Sequence, residues 1–331
     1  MLDILQDLYN AVCGFVVGDA LGVPYEFKKR DTFVCDTMRA STFKDSHFPL
    51  PLGSWSDDTS MMLCVLDALS VKFRDEQQEK PPQTQKQIDE YQTNIRRKIY
   101  KKFRKNCIQW MLFGKYTNHF YRIPYDIGNA CRRGIFAMMF GFKNKKANNI
   151  KANGNGGLMR IFPIAFLEEN NQEKIMQYIQ LFNSCSHNHN VSNVGCLLYI
   201  LLIKELRKTS NIITALHRTV NIIDEKYKIP EYNKIWNLSI LDELRDNIKS
   251  TGYIVDTLEA VIWCCSRPNV YGYKSDVLCA VNLGGDTDTI AALVGAIDGV
   301  RYKSIPQDWL KNTRKEKMLQ NLCLNVNRKM V

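Results

Sequence analysis

The hydrophobic pattern of the chain is mostly helical. Apolar residues recur three and four positions apart from Leu5 to Val16, which predicts an amphipathic helix over residues 3–18. Strict alternation is scarce, and only Asp31–Phe43 offers room for a short hairpin. The sequence therefore predicts an all-α fold. The helical spacing returns over Met61–Val71, Ile99–Phe113, Ile175–Ser184, Val194–Leu206, Ile212–Ile223, Thr257–Cys265 and Met318–Val326.

Three polar stretches interrupt this pattern. Arg74–Lys98 contains Pro81-Pro82 and is expected to form an exposed loop or insertion, and Phe142–Asn149 and Ile229–Asn233 are expected to be shorter loops. None of them separates two hydrophobic halves that could fold alone. Residues 1–331 are therefore expected to form one large helical domain, with the polar insertion near 74–98.

The composition is that of a globular protein with a surplus of bases. Of the 331 residues, 45% are hydrophobic and 24% charged, and 45 Lys and Arg against 34 Asp and Glu give a net charge of +11. Such a surplus suggests an anionic partner. No nucleic-acid-binding signature accompanies the bases, and in Arg96–Lys105 they alternate with apolar residues as on a solvated helix face. Sequence-specific binding of nucleic acid is not expected.

The cysteines and the N-terminus bear on the compartment. The eleven cysteines are an odd number without C-x-x-C spacing, which fits buried, reduced thiols better than a disulfide framework or a zinc site. Asp3 stands where a signal peptide would carry bases, and no apolar run approaches the ~18 residues of a membrane span. We expect a cytoplasmic protein without a membrane partner.

Two groups of acids stand directly before predicted helices. Asp57 and Asp58 precede the helix that starts near Met61, and Asp286 and Asp288 precede an apolar helix over Ile290–Ile297. Capping of a helix N-terminus explains one acid in each group but not two, because adjacent carboxylates repel. Two facing groups of carboxylates and hydroxyls would suit a binuclear Mg²⁺ or Mn²⁺ site, since hard cations prefer oxygen ligands.

Two glycine-rich segments accompany the acids. Gly14, Gly18 and Gly22 are expected to end the first helix and start a tight loop, with Glu26 just beyond Pro24. Asn153–Arg160 is a Gly/Asn-rich segment that enters a helix, either an ordinary helix start or a place where backbone amides cradle phosphate. It lacks the Gly-Lys-Ser/Thr ending of a Walker loop.

Taken in order along the chain, these motifs resemble the ADP-ribosylglycohydrolase family. The resemblance covers nearly the whole chain, and Ser56 stands where many relatives have Thr, a mild departure because both offer one hydroxyl. The matching motifs are Gly18–Gly22 with Glu26, Ser56–Thr59, Asp126–Asn129, Gly154–Arg160, Ser186-His187, Gly252–Ala260 and Gly284–Thr289.

The resemblance implies a single large orthogonal bundle of helices around two Mg²⁺ ions, with Mn²⁺ in some members. It implies a hydrolase that cleaves the glycosidic bond between ADP-ribose and an acceptor. The implied metal ligands are Ser56, Asp57, Asp58, Asp286, Asp288 and Thr289. The implied catalytic residues are Glu26, Asp57, Asp58 and Asp288. The implied substrate contacts are Asp126, Gly128, Asn129, Asn155, Gly156, Gly157, Leu158, Met159, His187 and Tyr253.

Several alternatives stay open at this stage. Glu26 could ligate metal, activate water or pass a proton to the leaving group. The partner could be a protein modified on arginine, serine or another side chain, a nucleic-acid end, or a free ADP-ribose derivative. A non-catalytic member that binds ADP-ribose is the alternative function, although the four metal-site acids are intact. We expect a monomer.

Overall fold

The computed structural model describes residues 2–42, 49–71, 84–119, 124–267 and 272–326. As predicted, the fold is all-α, and over these ranges the strands β1 (Ser41–Thr42) and β2 (Pro49–Leu50) pair only in a short antiparallel ladder. The α-helices are α1 (Leu2–Gly22), α2 (Asp57–Ala68), α3 (Gln85–Phe113), α4 (Asn129–Met139), α5 (Gln172–Asn183), α6 (Asn190–Thr209), α7 (Ile212–Ile222), α8 (Asn233–Trp236), α9 (Ile254–Ser266), α10 (Tyr273–Val281), α11 (Thr287–Tyr302), α12 (Gln307–Asn312) and α13 (Glu316–Leu324).

The core lies around helices that are buried on nearly every side. In α6 the run from Val191 to Leu206 is buried throughout, and in α11 the run from Thr287 to Val300 is buried throughout. A helix without a polar face belongs in the interior of a large domain. Helices α2 and α9 and most of α1 are likewise buried on nearly every side, whereas α3, α5 and α7 each bury one apolar face.

Glycines bring α1 and α11 into backbone contact. A Cβ atom added to Gly14 would lie 2.0 Å from the carbonyl oxygen of Gly295, and one added to Gly18 would lie 2.1 Å from that of Ala291. From the other side, a Cβ on Gly299 would lie 2.3 Å from the Asn10 oxygen. The expectation that the early glycines end the first helix is therefore wrong for Gly14 and Gly18, which lie inside α1, and is confirmed for Gly22, the last residue of α1. The glycines serve helix packing instead.

Helix α3 starts earlier than predicted. Part of the expected polar loop, residues 85–98, is helical, because Thr84 and Gln87 form a capping box that starts the helix at Gln85. Ile95 and Ile99 are buried while most of this polar stretch is exposed, which is why its composition indicated a loop. Residues 72–83, with Pro81-Pro82, lie outside the described residues.

The hairpin expected within Asp31–Phe43 is wrong for most of that segment. Within the described part of this segment, residues 31–42, only Ser41–Thr42 is a strand, and it pairs with residues beyond the predicted range. The backbone of Cys35 instead bonds with the side chain of Asn282, whose Oδ1 accepts from the Cys35 amide at 2.8 Å and whose Nδ2 donates to the Cys35 carbonyl at 2.9 Å. A side-chain amide thus takes the place of a partner strand.

The sequence did not predict several short helices. Helices α4, α10 and α12 are each at most 11 residues long and carry few apolar positions, so their periodicity is weak. Both shorter polar loops also contain turns of 3₁₀-helix, Lys145–Asn148 and Pro230–Tyr232. The loop of residues 153–160 is itself a 3₁₀-helix over Asn155–Arg160.

All eleven cysteines are free, and ten of them are buried, as predicted. None of the helices that the structure describes combines the length and the apolar character needed to cross a bilayer.

The α1–α11 contact predicts a strong effect of a single methyl group. Gly18→Ala should lower the free energy of unfolding by about 2 kcal/mol or more, because the new Cβ must push apart two packed backbones. This loss outweighs the ~1 kcal/mol that Ala gains over Gly in a helix. Urea unfolding followed by circular dichroism measures it.

Gly128→Ala is the matched control. A Cβ atom at Gly128 meets no atom within 4 Å, and its φ of −53° suits any residue. We expect a change within about 1 kcal/mol. Equal stability of the two variants would contradict the close packing of α1 on α11.

Candidate metal centre and ligand cavity

The start of α2 is capped by residues other than its own two acids. Ser56 Oγ accepts from the Asp58 amide at 3.2 Å. The carboxylate of Asp19, on α1, accepts from the amides of Ser56 at 2.9 Å and Thr59 at 3.0 Å and from Thr59 Oγ1 at 2.6 Å. The amides of Ser56, Asp58 and Thr59 are thus capped without the carboxylates of Asp57 and Asp58, so helix capping does not explain these two carboxylates.

The start of α11 is held by tight loops. Gly284 and Gly285 have φ of +71° and +70°, and a Cβ on Gly285 would lie 2.1 Å from the Ser250 oxygen, so glycine is required there. Gly285 donates to the Lys28 carbonyl at 2.9 Å, which ties the loop after α1 to the start of α11. Thr287 Oγ1 donates to the Gly22 carbonyl at 2.8 Å. These bonds place Glu26 beside α11.

Four buried carboxylates face one cavity from these two helix ends. Asp57, Asp58, Asp286 and Asp288 are each at most 8% exposed, and all four line the cavity. The carboxylates of Glu26, Asp126 and Asp288 offer oxygens within 4.8 Å of one another. The structure therefore brings together the two acid groups that the sequence placed more than 200 residues apart.

Burial and mutual repulsion raise the pKa values of the buried acids. Burial, and next the charge of Asp126, holds the pKa of Asp57 well above its usual range. Burial and the neighbouring Asp57 do the same to the pKa of Asp58, and burial and Glu26 to that of Asp288. Burial also raises the pKa of Asp19 to about 6, although three hydrogen bonds oppose it. Like charges out of water favour the protonated form unless a cation joins them.

The donor set fits hard divalent cations. Among the described residues that line the cavity, Asp58 and Asp288 each have a buried carboxylate oxygen without a hydrogen-bond partner, Oδ2 and Oδ1 respectively. Such orphaned acceptors are rare in folded proteins, and an ion is one common explanation. Carboxylate and hydroxyl oxygens are the ligands that Mg²⁺ and Mn²⁺ prefer, and the cavity offers them from both helix ends.

The glycine-rich segment forms the cavity wall next to the acids. Asn155 Nδ2 donates to Asp286 Oδ2 at 2.7 Å and to Thr257 Oγ1 at 3.0 Å, which fixes the segment to α11 and α9. Gly156 packs so closely on His187 that a Cβ would lie 2.7 Å from its Cε1. The segment is therefore a rigid wall whose glycines leave room for an imidazole.

The structure places most sequence-predicted site residues in this cavity. Those that line it are Glu26, Asp57, Asp58, Asp126, Gly128, Asn129, Asn155, Gly156, Met159, His187, Asp286, Asp288 and Thr289. Ser56, Gly157, Leu158 and Tyr253 do not line it. Leu158 is fully buried in the core, Gly157 packs on Asn183, and Tyr253 is 40% exposed at the start of α9.

Other residues of the site were missed. Phe27, Ala130 and Cys131 line the cavity and were not predicted, whereas Ile127 and Gly252 line it and lie within predicted motifs but were not named as site residues. Asp19 does not line the cavity but caps the start of α2. The signal for it in the sequence was an acid within the apolar stripe of the first helix. Phe27, Ala130 and Cys131 gave no signal in the sequence, because only the fold brings them to the cavity.

The comparisons with known proteins agree with this fold. The family model of ADP-ribosylglycohydrolase matches residues 2–330, so the chain belongs to the ADP-ribosylglycohydrolase family. It is accordingly a hydrolase of ADP-ribose linkages.

Three individual proteins illustrate the similarity. ADP-ribosylarginine hydrolase Tri1 of Pseudomonas putida is 25% identical over 326 residues, which cover 95% of this chain and 76% of that protein. ADP-ribosyl-[dinitrogen reductase] glycohydrolase of Rhodospirillum rubrum is 28% identical over 313 residues, covering 91% and 88%. A solved structure described as an ADP-ribosylglycohydrolase-related protein complex has the same fold, with a TM-score of 0.70 at 23% identity and 98% coverage of both chains.

The raised pKa values of the buried carboxylates predict how the free energy of unfolding depends on pH in the absence of metal. A carboxyl whose pKa is higher in the folded state than in the unfolded state stabilises the fold below about pH 4, and this contribution is lost as the pH rises through the folded pKa. Asp288→Asn should therefore flatten the fall in unfolding free energy as the pH rises above about 4 in EDTA. Urea titrations across this range measure the slope.

The exposed Asp308→Asn is the matched control, and it should leave the slope unchanged. Adding Mg²⁺ should reduce the slope of the unmodified protein but have less effect on Asp288→Asn. Identical slopes for all three proteins in EDTA would contradict a repulsive carboxylate cluster.

Proposed function

We propose that this protein is a Mg²⁺-dependent hydrolase that releases ADP-ribose from arginine side chains of modified proteins. The observation that carries the proposal is the convergence of four buried carboxylates on one cavity, with two carboxylate oxygens orphaned. The choice of arginine rests on relatives such as the ADP-ribosylarginine hydrolases of Pseudomonas putida and Serratia proteamaculans.

The two helix ends would hold two Mg²⁺ ions, with Mn²⁺ as a substitute. Asp57 and Asp58 on α2, and Asp286, Asp288 and Thr289 at the start of α11, would supply the ligands. Ser56 would join them through its hydroxyl, which already accepts from the Asp58 amide. When bound, the cations supply charge neutralisation in the cluster and hold the ribose hydroxyls.

Glu26 is the residue that we place at the proton transfers. Its carboxylate is only partly buried, and it lies beside the buried Asp288 and near Asp126 at the edge of the acid cluster. Hydrolysis breaks the bond from the anomeric carbon to the guanidine nitrogen and forms one to a water oxygen. Glu26 takes a proton from that water, and the leaving nitrogen gains one.

The cavity wall would bind the nucleotide. Gly154, Asn155, Gly156 and Met159 line the cavity on the side of α9 and are proposed to contact the diphosphate and the ribose. Asp126, Gly128 and Asn129, at the start of α4, also line the cavity and would contact the same ligand. Gly157 and Leu158 would support the glycine-rich segment from the core side. Tyr253 would flank the nucleotide from its exposed position.

Catalysis is favoured over ADP-ribose binding alone. A protein that only binds ADP-ribose would not need four buried carboxylates with raised pKa values, since their burial without a cation costs stability. Glu26 also stands in the cavity, where it can reach a substrate.

We also propose a domain organisation, a compartment and an oligomeric state for this protein. Residues 1–331 would act as one domain, and the buried hydrophobic cluster, which reaches from α1 to α13, supports this. The protein would work as a cytoplasmic monomer. Its surplus bases would attract the anionic nucleotide rather than a specific nucleic-acid sequence.

Metal ligation predicts the effect of removing single acids. Asp57→Ala and Asp286→Ala should each lower the release of ADP-ribose from arginine-modified protein by about 100-fold or more, because the loss of a supporting residue alone costs about 10–100-fold at such sites. Excess EDTA should do the same to the unmodified protein. Asp308→Ala, at an exposed position, is the control and should keep its activity.

Arginine-, serine- and nucleic-acid-linked ADP-ribose should be compared side by side with Mg²⁺ and Mn²⁺. Fastest release from arginine supports the proposed acceptor, and fastest release from another linkage replaces it. Full activity in EDTA, or in both Asp variants, would overturn the metal-dependent mechanism.

Glu26→Gln predicts a separation of binding from turnover. The amide keeps the size of the side chain but cannot take a proton, so kcat should fall by at least about 100-fold. Calorimetry should still show ADP-ribose binding. Loss of binding with normal turnover of the bound substrate would show that Glu26 does not act in catalysis.

A further inference from the structure

Arg160 is a buried cation without an acidic partner. Its side chain is 0% exposed, and none of the ion pairs among the described residues involves it. Its Nη2 donates to Ser186 Oγ at 2.7 Å and to Asn183 Oδ1 at 3.4 Å, while Nη1 meets the sulfur atoms of Met61 and Cys131. Burying a guanidinium without a counter-charge is costly, so its strongest contact, with Ser186, calls for an explanation.

The contact with Arg160 occupies one acceptor site of the Ser186 hydroxyl and favours donation by its hydrogen. Arginine is always protonated and can only donate, so Ser186 Oγ must accept from it. The hydrogen of the hydroxyl is then free to point to His187 Nδ1, which lies 2.9 Å away. Another neighbour of the hydroxyl, the Cys185 thiol at 3.6 Å, is a weak donor to it and does not compete for the hydroxyl hydrogen. A hydroxyl polarised by a guanidinium is also a stronger donor.

His187 is neutral in this environment. Burial, followed by the charges of Arg160 and Arg133, lowers its pKa to about 3. A neutral imidazole carries one hydrogen, so an Nδ1 atom that accepts from Ser186 requires the hydrogen on Nε2.

The Nε2 edge of His187 faces the glycine-rich wall and the cavity. A Cβ atom on Gly154 would lie 3.3 Å from Nε2, and one on Gly156 would lie 3.2 Å from it. His187 lines the cavity, and the described residues offer Nε2 no hydrogen-bond partner. The glycines therefore keep this edge open for a ligand atom.

We infer that Arg160 and Ser186 are positioning residues that hold His187 as a hydrogen-bond donor toward the ligand. The hydrogen bonds run from Arg160 to Ser186 and from Ser186 to His187, and they leave Nε2–H directed into the cavity. In a cavity lined by six carboxylates, which only accept when ionised, His187 contributes a neutral donor. Such a donor selects a ligand atom that accepts, an oxygen of the diphosphate or of a ribose. That identity of the ligand rests on the proposed function.

The tautomer is directly measurable in the free protein. Long-range ¹H–¹⁵N spectra of protein labelled in histidine distinguish a protonated from an unprotonated ring nitrogen, and His187→Gln assigns the signal. We expect the hydrogen of His187 on Nε2. In Ser186→Ala the Nδ1–H form should appear, because nothing then donates to Nδ1. Ser184→Ala, an exposed serine two residues away, is the matched control and should leave the tautomer unchanged.

Binding gives the second readout. Ser186→Ala should weaken ADP-ribose binding, measured by calorimetry, about tenfold, the value of one hydrogen bond. With modified protein as substrate, KM should rise while kcat stays unchanged. An Nδ1–H tautomer in the unmodified protein, or a tautomer that Ser186→Ala does not change, would overturn the inference. The spectra of the free protein report the tautomer even if the protein fails to release ADP-ribose, so the two proposals fail separately.

Discussion

The contact between α1 and α11 is the constraint on which the site depends. Gly14, Gly18 and Gly295 let the two backbones touch, and this fixes the end of α1 against the start of α11. Thr287 then bonds the Gly22 carbonyl, and Asp19 on the same helix caps α2. Helix α1 therefore holds both acid-bearing helix ends at once. A looser crossing would separate the carboxylates that must meet.

This arrangement gives the acids different roles. Asp19 and Ser56 cap three amides at the start of α2, so capping does not occupy the carboxylates of Asp57 and Asp58, although Asp57 Oδ2 accepts from the Gly128 amide at 3.4 Å. At the start of α11, Asp286 is held by Asn155, while Asp288 keeps a buried oxygen without a partner. The cavity thus holds buried charge that folding alone does not need. Cations would offset its unfavourable free energy, and the same cations would provide the chemistry that we propose.

The features that could be predicted are those encoded by short local sequence patterns. Asp57-Asp58 before one apolar helix and Asp286–Asp288 before another could be found because caps, acids and glycines lie next to one another in sequence. The all-α fold followed from helical spacing. The extension of α1 through Gly18 could not be predicted, because the reason for these glycines is the backbone of α11, about 270 residues away. The link from Arg160 through Ser186 to His187 likewise exists only in three dimensions. The early start of α3 is different, since its capping box was present in the sequence but its polar composition concealed it.

The most direct test of the central claim is anomalous diffraction from crystals grown with Mn²⁺. If the buried carboxylates exist to hold two cations, the anomalous map should show two peaks between the start of α2 and the start of α11. Asp57, Asp58, Asp286 and Asp288 should surround them. A map without peaks in this cavity, or with peaks only elsewhere on the protein, would contradict the account.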